Sequence, residues 1–435
     1  MSRSQVDSTG TVTAGPAARN APESPAASTS AAEAHAGVAG LPLAAVKVLD
    51  VSSVLAGPVA ATLLGDFGAD VVKVEQPRTG DFTRRGADAP GGRSAQWLQE
   101  GRNKRSVTID LRRERGRELL LRLVPTFDVV LLSGRPATLR RWGLSPENLT
   151  GVHPQGIHVY VTGYGLTGPY RDRGAFDRIA SAFAGLTYVS GEPGRPPVRQ
   201  GYALIDYMTA YLAAFGTMLA LYERDTISGR GQVIDLALYE TGFRASEDAV
   251  LDFVLNGRVR ERTGNTNPYV VPASDFETAD GHRIALHAGT DTLFYKLCQA
   301  MGEPDLPQDP RYANHQARVV NQAGLYERIQ RWVGTLTRDE TVAALVDVDV
   351  PVSPIMSVAE ILDDPHYWQR GTLIEVADDE HGRLPMPAAI PSLSRTPGRI
   401  RWAGETLGAH TDDVLTTHLG LSDADLEALR REGAI

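Results

Sequence analysis

Apolar and polar positions alternate along this chain in a strand–helix rhythm. Residues 45–52 (AVKVLDVS) make a short apolar run that reads as a buried strand. Gly57 and Pro58 open VAATLLGDFGA, whose spacing is helical, and residues 69–75 (ADVVKVE) predict a second strand. Residues 103–112, 127–133 and the run GIHVYVTGYG predict three more strands, with RERGRELLLRLVPT and GRPATLRRWGL as helices between them. This alternation predicts an open α/β domain with a parallel sheet and crossover helices.

The pattern becomes most distinctive over residues 198–235. A loop, VRQGYALID, ends at Asp206, and YMTAYLAAFGTMLALYERD follows. Met208, Tyr211, Leu212, Phe215, Met218, Leu219 and Tyr222 recur at helical steps and predict one buried helix face. TISGRGQVID then predicts a turn and a strand. Asp206 stands at the expected helix start, where unpaired N–H groups and the helix dipole favour an ionised carboxylate. An N-cap is the simplest role; a carboxylate nucleophile is the alternative, and spacing does not choose between them. Asp177, near the start of a helix predicted from about Phe176, is a second helix-start carboxylate with capping as its default role.

After residue 257 the pattern changes. GRVRERTGNTNPYVVPA reads as a linker, and FETADGHRIALHAG as a hairpin turning at Asp280-Gly281. Short helices follow, which predicts a smaller α+β domain. Two short helices close the chain, the last with Ser422 as N-cap. The expected organisation is a disordered tail (1–43), the first part of a large α/β domain (44–256), linker and small domain (257–375), and a return segment on the large domain (376–435).

Composition narrows the partners. The chain has 435 residues, 42% hydrophobic and 22% charged, with a formal charge of −9, which argues against nucleic acid. Its single cysteine, Cys298, excludes an internal disulfide and sits in an apolar pattern that reads as core. A reducing, cytoplasmic setting is the expectation. No apolar run approaches the length of a transmembrane helix, and the Ala/Ser/Pro/Gly-rich tail has no apolar signal region. The ten histidines do not cluster and no metal-ligand motif is present, so no metal site is expected.

In parallel sheets ligands sit beyond the carboxyl ends of the strands. The loops predicted there carry Arg78, Arg84, Arg85, Arg112, Arg113, Arg135, Arg140 and Arg141. Such arginines suit a phosphorylated ligand, since guanidinium pairs well with phosphate oxygens. Gly163 to Gly168 fits G-x-G-x-x-G, but Pro169 and a polar turn follow instead of a helix, which argues against dinucleotide binding.

Taken in order, VLDVSSVLAGPVAATLLGDFGADVVKVEQPRTGD, NKRSVTIDL, GYGLTGPY, SGEPGRPPVRQG, the Asp206 helix, SGRGQVIDLALYE and LGAHTDDVL resemble the class III CoA-transferase family. That family includes formyl-CoA and carnitine CoA-transferases and the α-methylacyl-CoA racemases. The resemblance implies a Rossmann-like large domain built from both chain ends, a small domain from the middle, and an interlocked homodimer. It places the catalytic aspartate on Asp206. It implies CoA contacts at Leu55 and Ala56 (backbone), Ile109 to Arg112, Ser133 to Arg135, and Arg141. The family's Arg after the second-strand Glu is Gln76 here, so Arg78 would substitute; a common Asn-Phe pair is Ser133-Gly134.

The implied substrates are an acyl-CoA thioester and a carboxylic acid, with no permanently bound cofactor. CoA would pass through an aspartyl mixed anhydride and an aspartyl-CoA thioester. The racemases pair their aspartate with a histidine just before the Asp177 position. Phe176 stands there and carries no proton, which disfavours racemisation. The glycine-run loop of the formyl/oxalate enzymes is replaced by Gly264-Asn-Thr-Asn-Pro268, so another acid pair is expected. Alternatives are an acyl-CoA racemase or epimerase, a non-catalytic acyl-CoA-binding homologue, and, weakest, a dehydrogenase.

Overall fold

A computed structural model describes residues 40–85, 93–267 and 269–435. Most of the expected tail, part of the loop after the second strand, and Pro268 lie outside the described residues. Leu41 and Leu43, expected in the tail, are buried, and the Leu43 N–H donates to the Phe67 carbonyl at 3.0 Å.

The first half builds β1 (Lys47–Asp50), α1 (Ala56–Asp66), β2 (Asp70–Glu75), β3 (Lys104–Thr108), α2 (Glu114–Leu123), β4 (Val129–Ser133), α3 (Pro136–Arg141) and β5 (Ile157–Thr162). Then come α4 (Asp177–Phe183), α5 (Leu204–Glu223), β6 (Val233–Ala237), α6 (Leu238–Arg244) and α7 (Ala249–Asn256). The six strands pair in parallel in the order β3-β2-β1-β4-β5-β6. The order reverses between β1 and β4, which opens a crevice at their carboxyl ends. The predicted α/β class and parallel sheet are present. β3 is shorter than its apolar run, ending at Thr108; Ile109 still donates its N–H to the Glu75 carbonyl of β2 at 2.9 Å, and the chain then turns at Asp110, whose carbonyl accepts the Arg113 N–H at 3.0 Å.

Valine- and leucine-rich strands cover both faces of the sheet, as a parallel sheet requires. One core joins Val48, Val71, Leu131 and Val159 to α1 and α5. The other joins Leu49, Val72, Val130 and Tyr160 to α2 and to the chain's last helices, α11 (Thr411–Leu419) and α12 (Asp423–Arg431). Ser422 caps α12, accepting from the Asp425 N–H.

The predicted buried face of α5 is reversed. Tyr211, Leu212, Phe215, Met218, Leu219 and Tyr222 are exposed, Phe215 by 59% and Tyr222 by 66%. The buried side carries Ile205, Thr209, Ala210, Ala213, Thr217 and Ala220. Small side chains let α1 and α5 approach closely, and the large ones are left outside. Helical period alone locates a stripe without saying which side the core lies on. With the π-helical turn Arg224–Ser228, this helix is also long and apolar enough by composition to cross a membrane, contrary to the expectation that no segment comes near. Only 44% of that apolar window is buried, on the side that packs along α1 and the sheet.

A third core lies among β7 (Ala273–Glu277), β8 (Arg283–His287) and β9 (Val352–Pro354), an antiparallel sheet, and α8 (Asp291–Ala300), α9 (Gln322–Val333) and α10 (Arg338–Asp347). The Asp280-Gly281 hairpin joins β7 to β8. Cys298 is buried here, and burial pushes its thiol up to about 12. β10 (Leu373–Asp378) and β11 (Gly382–Pro387) form a hairpin whose Val376 and Met386 pack on Leu98; the expected boundary at 375/376 falls inside β10. Two histidines do meet, His153 and His158, with ring centroids 5.7 Å apart, but among the described residues no cluster has the makings of a metal site.

Candidate active site

The carboxyl edge of the sheet gathers most of the residues singled out from the sequence. α1 starts there, directly after β1. Leu55 is its N-cap and Ala56 its first residue, so their N–H groups are among those that no helix carbonyl can accept. Ser133, the last residue of β4, accepts the Ser53 N–H at 2.8 Å and ties the two sides of the switch point together. Arg135 caps α3 and its guanidinium lies against Gly174; Arg141, in the last turn of α3, is exposed.

Arg78 and Arg112 stand farther along the same edge, after β2 and β3. Arg78 has a left-handed backbone (φ +70°) and lines a shallow cavity of about 300 Å³ with Thr108, Thr411 and Arg430. Arg112 is exposed and forks onto Asp110, with two contacts of 2.8 Å, while the Gln76 carboxamide lies against its guanidinium. The Ile109 side chain is buried and its N–H is spent on the Glu75 carbonyl at 2.9 Å, which leaves only its carbonyl side to a ligand.

Asp206 departs from the expectation in two ways. It is not the N-cap: Ala203 is, and Asp206 is the third residue of α5. Nor is it a freely ionised carboxylate. It is only 7% exposed, and among the described residues no donor reaches its oxygens. Burial, aided by the negative charge of Asp177, raises its carboxyl to about 7. The helix dipole acts in the opposite sense and is outweighed.

The capping is done from a different helix. Asp177, first residue of α4, accepts the N–H groups of Ile205 at 2.8 Å and Asp206 at 3.3 Å through one carboxylate oxygen. These are the second and third amides of α5, the ones an N-cap side chain would take. Asp177 was legible as a capping residue, but its target was not, because the partner lies 28 positions away. Further down, the Tyr207 hydroxyl donates to Glu100 at 2.8 Å and Thr209 bonds Thr241 of α6 at 3.0 Å, which fixes the first turns of α5.

Phe176 precedes Asp177 and is exposed, so no proton carrier stands where a racemase would have its histidine. The turn from Gly163 to Gly168 opens no helix; its Leu166 N–H donates to Asp235 at 3.0 Å.

Residues 43–411 match the family described as CoA-transferase family III. The chain belongs to CoA-transferase family III. It is an acyl-CoA:carboxylate CoA-transferase. Among its relatives, succinyl-CoA–D-citramalate CoA-transferase of Chloroflexus aurantiacus is 42% identical over 91% of this chain and 98% of its own length. The succinyl-CoA–L-malate CoA-transferase beta subunit of the same organism is 41% identical over 91% and 98%. Succinate–glutarate CoA-transferase of Agrobacterium fabrum is 32% identical over 90% and 97%. Among solved structures, a CAIB/BAIF family protein from Brucella suis superposes with a TM-score of 0.78 at 32% identity, covering 87% of this chain and all of the other.

Proposed function

We propose that this family III enzyme moves CoA from succinyl-CoA to a C4–C5 dicarboxylic acid, with Asp206 as the covalent carrier. The carrying observation is a carboxylate buried at a helix start, met by no hydrogen-bond donor among the described residues and raised to about 7. A poorly solvated carboxylate of raised basicity is a stronger nucleophile than one in water, and an anionic nucleophile needs no general base. The substrate class rests on the relatives: those named above act on succinyl-CoA or succinate with citramalate, malate or glutarate.

The Asp206 carboxylate attacks the donor thioester carbonyl and CoA leaves as the thiolate, giving a mixed anhydride. The thiolate attacks the aspartyl carbonyl, releasing the donor acid and leaving an aspartyl-CoA thioester. The acceptor carboxylate attacks that thioester, forming a second anhydride and freeing CoA thiolate. Attack of the thiolate on the acceptor's carbonyl yields the new acyl-CoA and restores Asp206. Each tetrahedral step places charge on an oxygen that needs donors. Asp177 already occupies the Ile205 and Asp206 amides. The amides of Leu55 and Ala56, at the start of the helix packed along α5, are the donors we assign to the CoA thioester, with Ser133, Ile109, Arg112, Arg135, Arg78 and Arg141 along the CoA path.

The active assembly is a homodimer, with the sheet and the antiparallel unit as separate domains of each chain. The outer stripe of α5 and all of α7 support this: no residue of α7 is buried, and Leu255 is 75% exposed. Large apolar side chains exposed on two helices are what an interface would cover. An apolar groove of about 560 Å³ is lined by residues of α6, α7 and the segment just after α4, Phe253 and Val254 of α7 among them. Sedimentation at micromolar concentration tests the dimer.

The experiment for the reaction is thioester exchange read by mass spectrometry, with succinyl-CoA and a pool of C3–C6 mono- and dicarboxylic acids. New dicarboxyl-CoA species support the reading. Transfer only to monocarboxylic acids would overturn the substrate class, and exchange by Asp206→Asn at the native rate would overturn the carrier.

A further inference from the structure

Beneath the start of α1 lies a fully buried group of four charges that the reaction above does not use. Lys73 on β2 faces Asp50 on β1, its register partner, at 3.6 Å and Asp81 at 3.4 Å. Lys104 of β3 reaches the other Asp50 oxygen at 3.1 Å. All four side chains are 0–2% exposed, and the two positive and two negative charges balance. Burial drives Lys104 below the usual lysine range. Against the same burial, the two lysines hold Asp50 low and the acids hold Lys73 high.

Burying four charges is expensive, and their remaining bonds point to what they do. The Lys73 ammonium donates to the Ser52 carbonyl. The Lys104 ammonium donates to the Pro58 carbonyl at 2.6 Å. Asp81 accepts the Val54 N–H at 3.3 Å, and Asp50 accepts the N–H of Ser52 at 3.1 Å as well as its hydroxyl. Each member therefore grips the backbone of residues 52–58. Val54, between the two carbonyl anchors, is held in a left-handed conformation (φ +72°) that a β-branched residue rarely adopts. With both flanking carbonyls turned down onto the ammonium groups, the amides of Leu55 and Ala56 are left at the open end of α1.

We propose that Lys104 and Lys73 are positioning residues for acyl-CoA, holding residues 52–58 so that the Leu55 and Ala56 amides face the bound thioester. The inference rests on the assignment of those two amides to CoA. Neither lysine touches substrate. Lys104 acts through the Pro58 carbonyl and Lys73 through the Ser52 carbonyl. No contact of this loop is assigned to the free acceptor acid, so the proposal is confined to the binding of acyl-CoA.

The test compares the full-length native chain with Lys104→Met and with the double variant Asp50→Asn/Lys104→Met. The double variant removes a charge pair together, so no buried charge is stranded if the single variant fails to fold. Hydrogen exchange across residues 53–58 is followed with and without CoA, and KM is measured for both substrates. Native protein is expected to show CoA protection of this segment. The variants are expected to exchange it faster when free, and to raise KM for acyl-CoA by about tenfold while KM for the acceptor acid stays the same. Absence of CoA protection in the native chain would remove the assignment of the amides itself. Protection in the native chain, with an unchanged acyl-CoA KM in a folded variant, would overturn the positioning role alone. A purely structural role lowers the melting temperature of the variants and leaves the KM ratio untouched.

Discussion

Replacing Asp206 by Asn should make this enzyme more stable while removing the carrier proposed for it. The carboxyl titrates near 3.8 in an unfolded chain and at about 7 in the fold. Between those values the folded state binds the extra proton, so ionising Asp206 works against folding. Its contribution is neutral below about pH 3.8 and becomes increasingly unfavourable up to about pH 7, where it levels off. The difference of roughly three units corresponds to about 4 kcal/mol. For a folded unit of roughly 400 residues that is about 5 °C in melting temperature. Asn keeps the size and removes the charge, so the variant should melt higher by about that amount at pH 8 and by almost nothing at pH 4. Calorimetry of both proteins across that range measures it. A variant that melts lower than the native chain at pH 8, or a gain of equal size at pH 4, would refute the claim that burial and Asp177 strain this carboxylate.

Other consequences are as direct. With the Asp206 carboxylate as the proposed nucleophile, kcat/KM should fall as pH drops below about 7, and Asp177→Asn, which removes the neighbouring charge, should move that limb to lower pH in a stopped-flow pH profile. His158 is buried, with no partner for either ring nitrogen among the described residues, and burial, aided by His153, lowers it to about 4. Its unfolded value near 6.5 means that stability is lost as pH falls from about 6.5 towards 4, by about 3 kcal/mol in all. His158→Phe should remove that part of the acid sensitivity in urea titrations. A methyl group on Gly57 would collide with the Ser52 side chain, so Gly57→Ala should weaken CoA binding in calorimetric titration, and an unchanged affinity would contradict the loop's assigned place.

The sheet was legible because its strands are short valine- and leucine-rich runs separated by helical spacing, a pattern that burial on both faces imposes. α5 was legible as a helix but not in its orientation. Its core side is built of Ala and Thr, and its large apolar residues face outward, so amphipathic period pointed to the wrong side. Asp206 and the CoA-path residues came from resemblance, since a carboxylate at a helix start reads equally well as a cap. Asp177 shows why the local reading fails: its carboxylate caps a helix other than its own, and that contact exists only after folding. Lys73 and Lys104 gave no signal because a lysine inside an apolar strand run names neither its counter-charge nor the carbonyl it holds.

The claim at the centre is that Asp206 carries CoA covalently. The native chain would be incubated with succinyl-CoA, treated with borohydride, digested and mass-mapped. Borohydride reduces an aspartyl thioester to the alcohol, converting that aspartate to homoserine. The account predicts conversion at Asp206, dependent on succinyl-CoA and absent from Asp206→Asn. Conversion at another carboxylate, or native-rate transfer with no conversion anywhere, would contradict it.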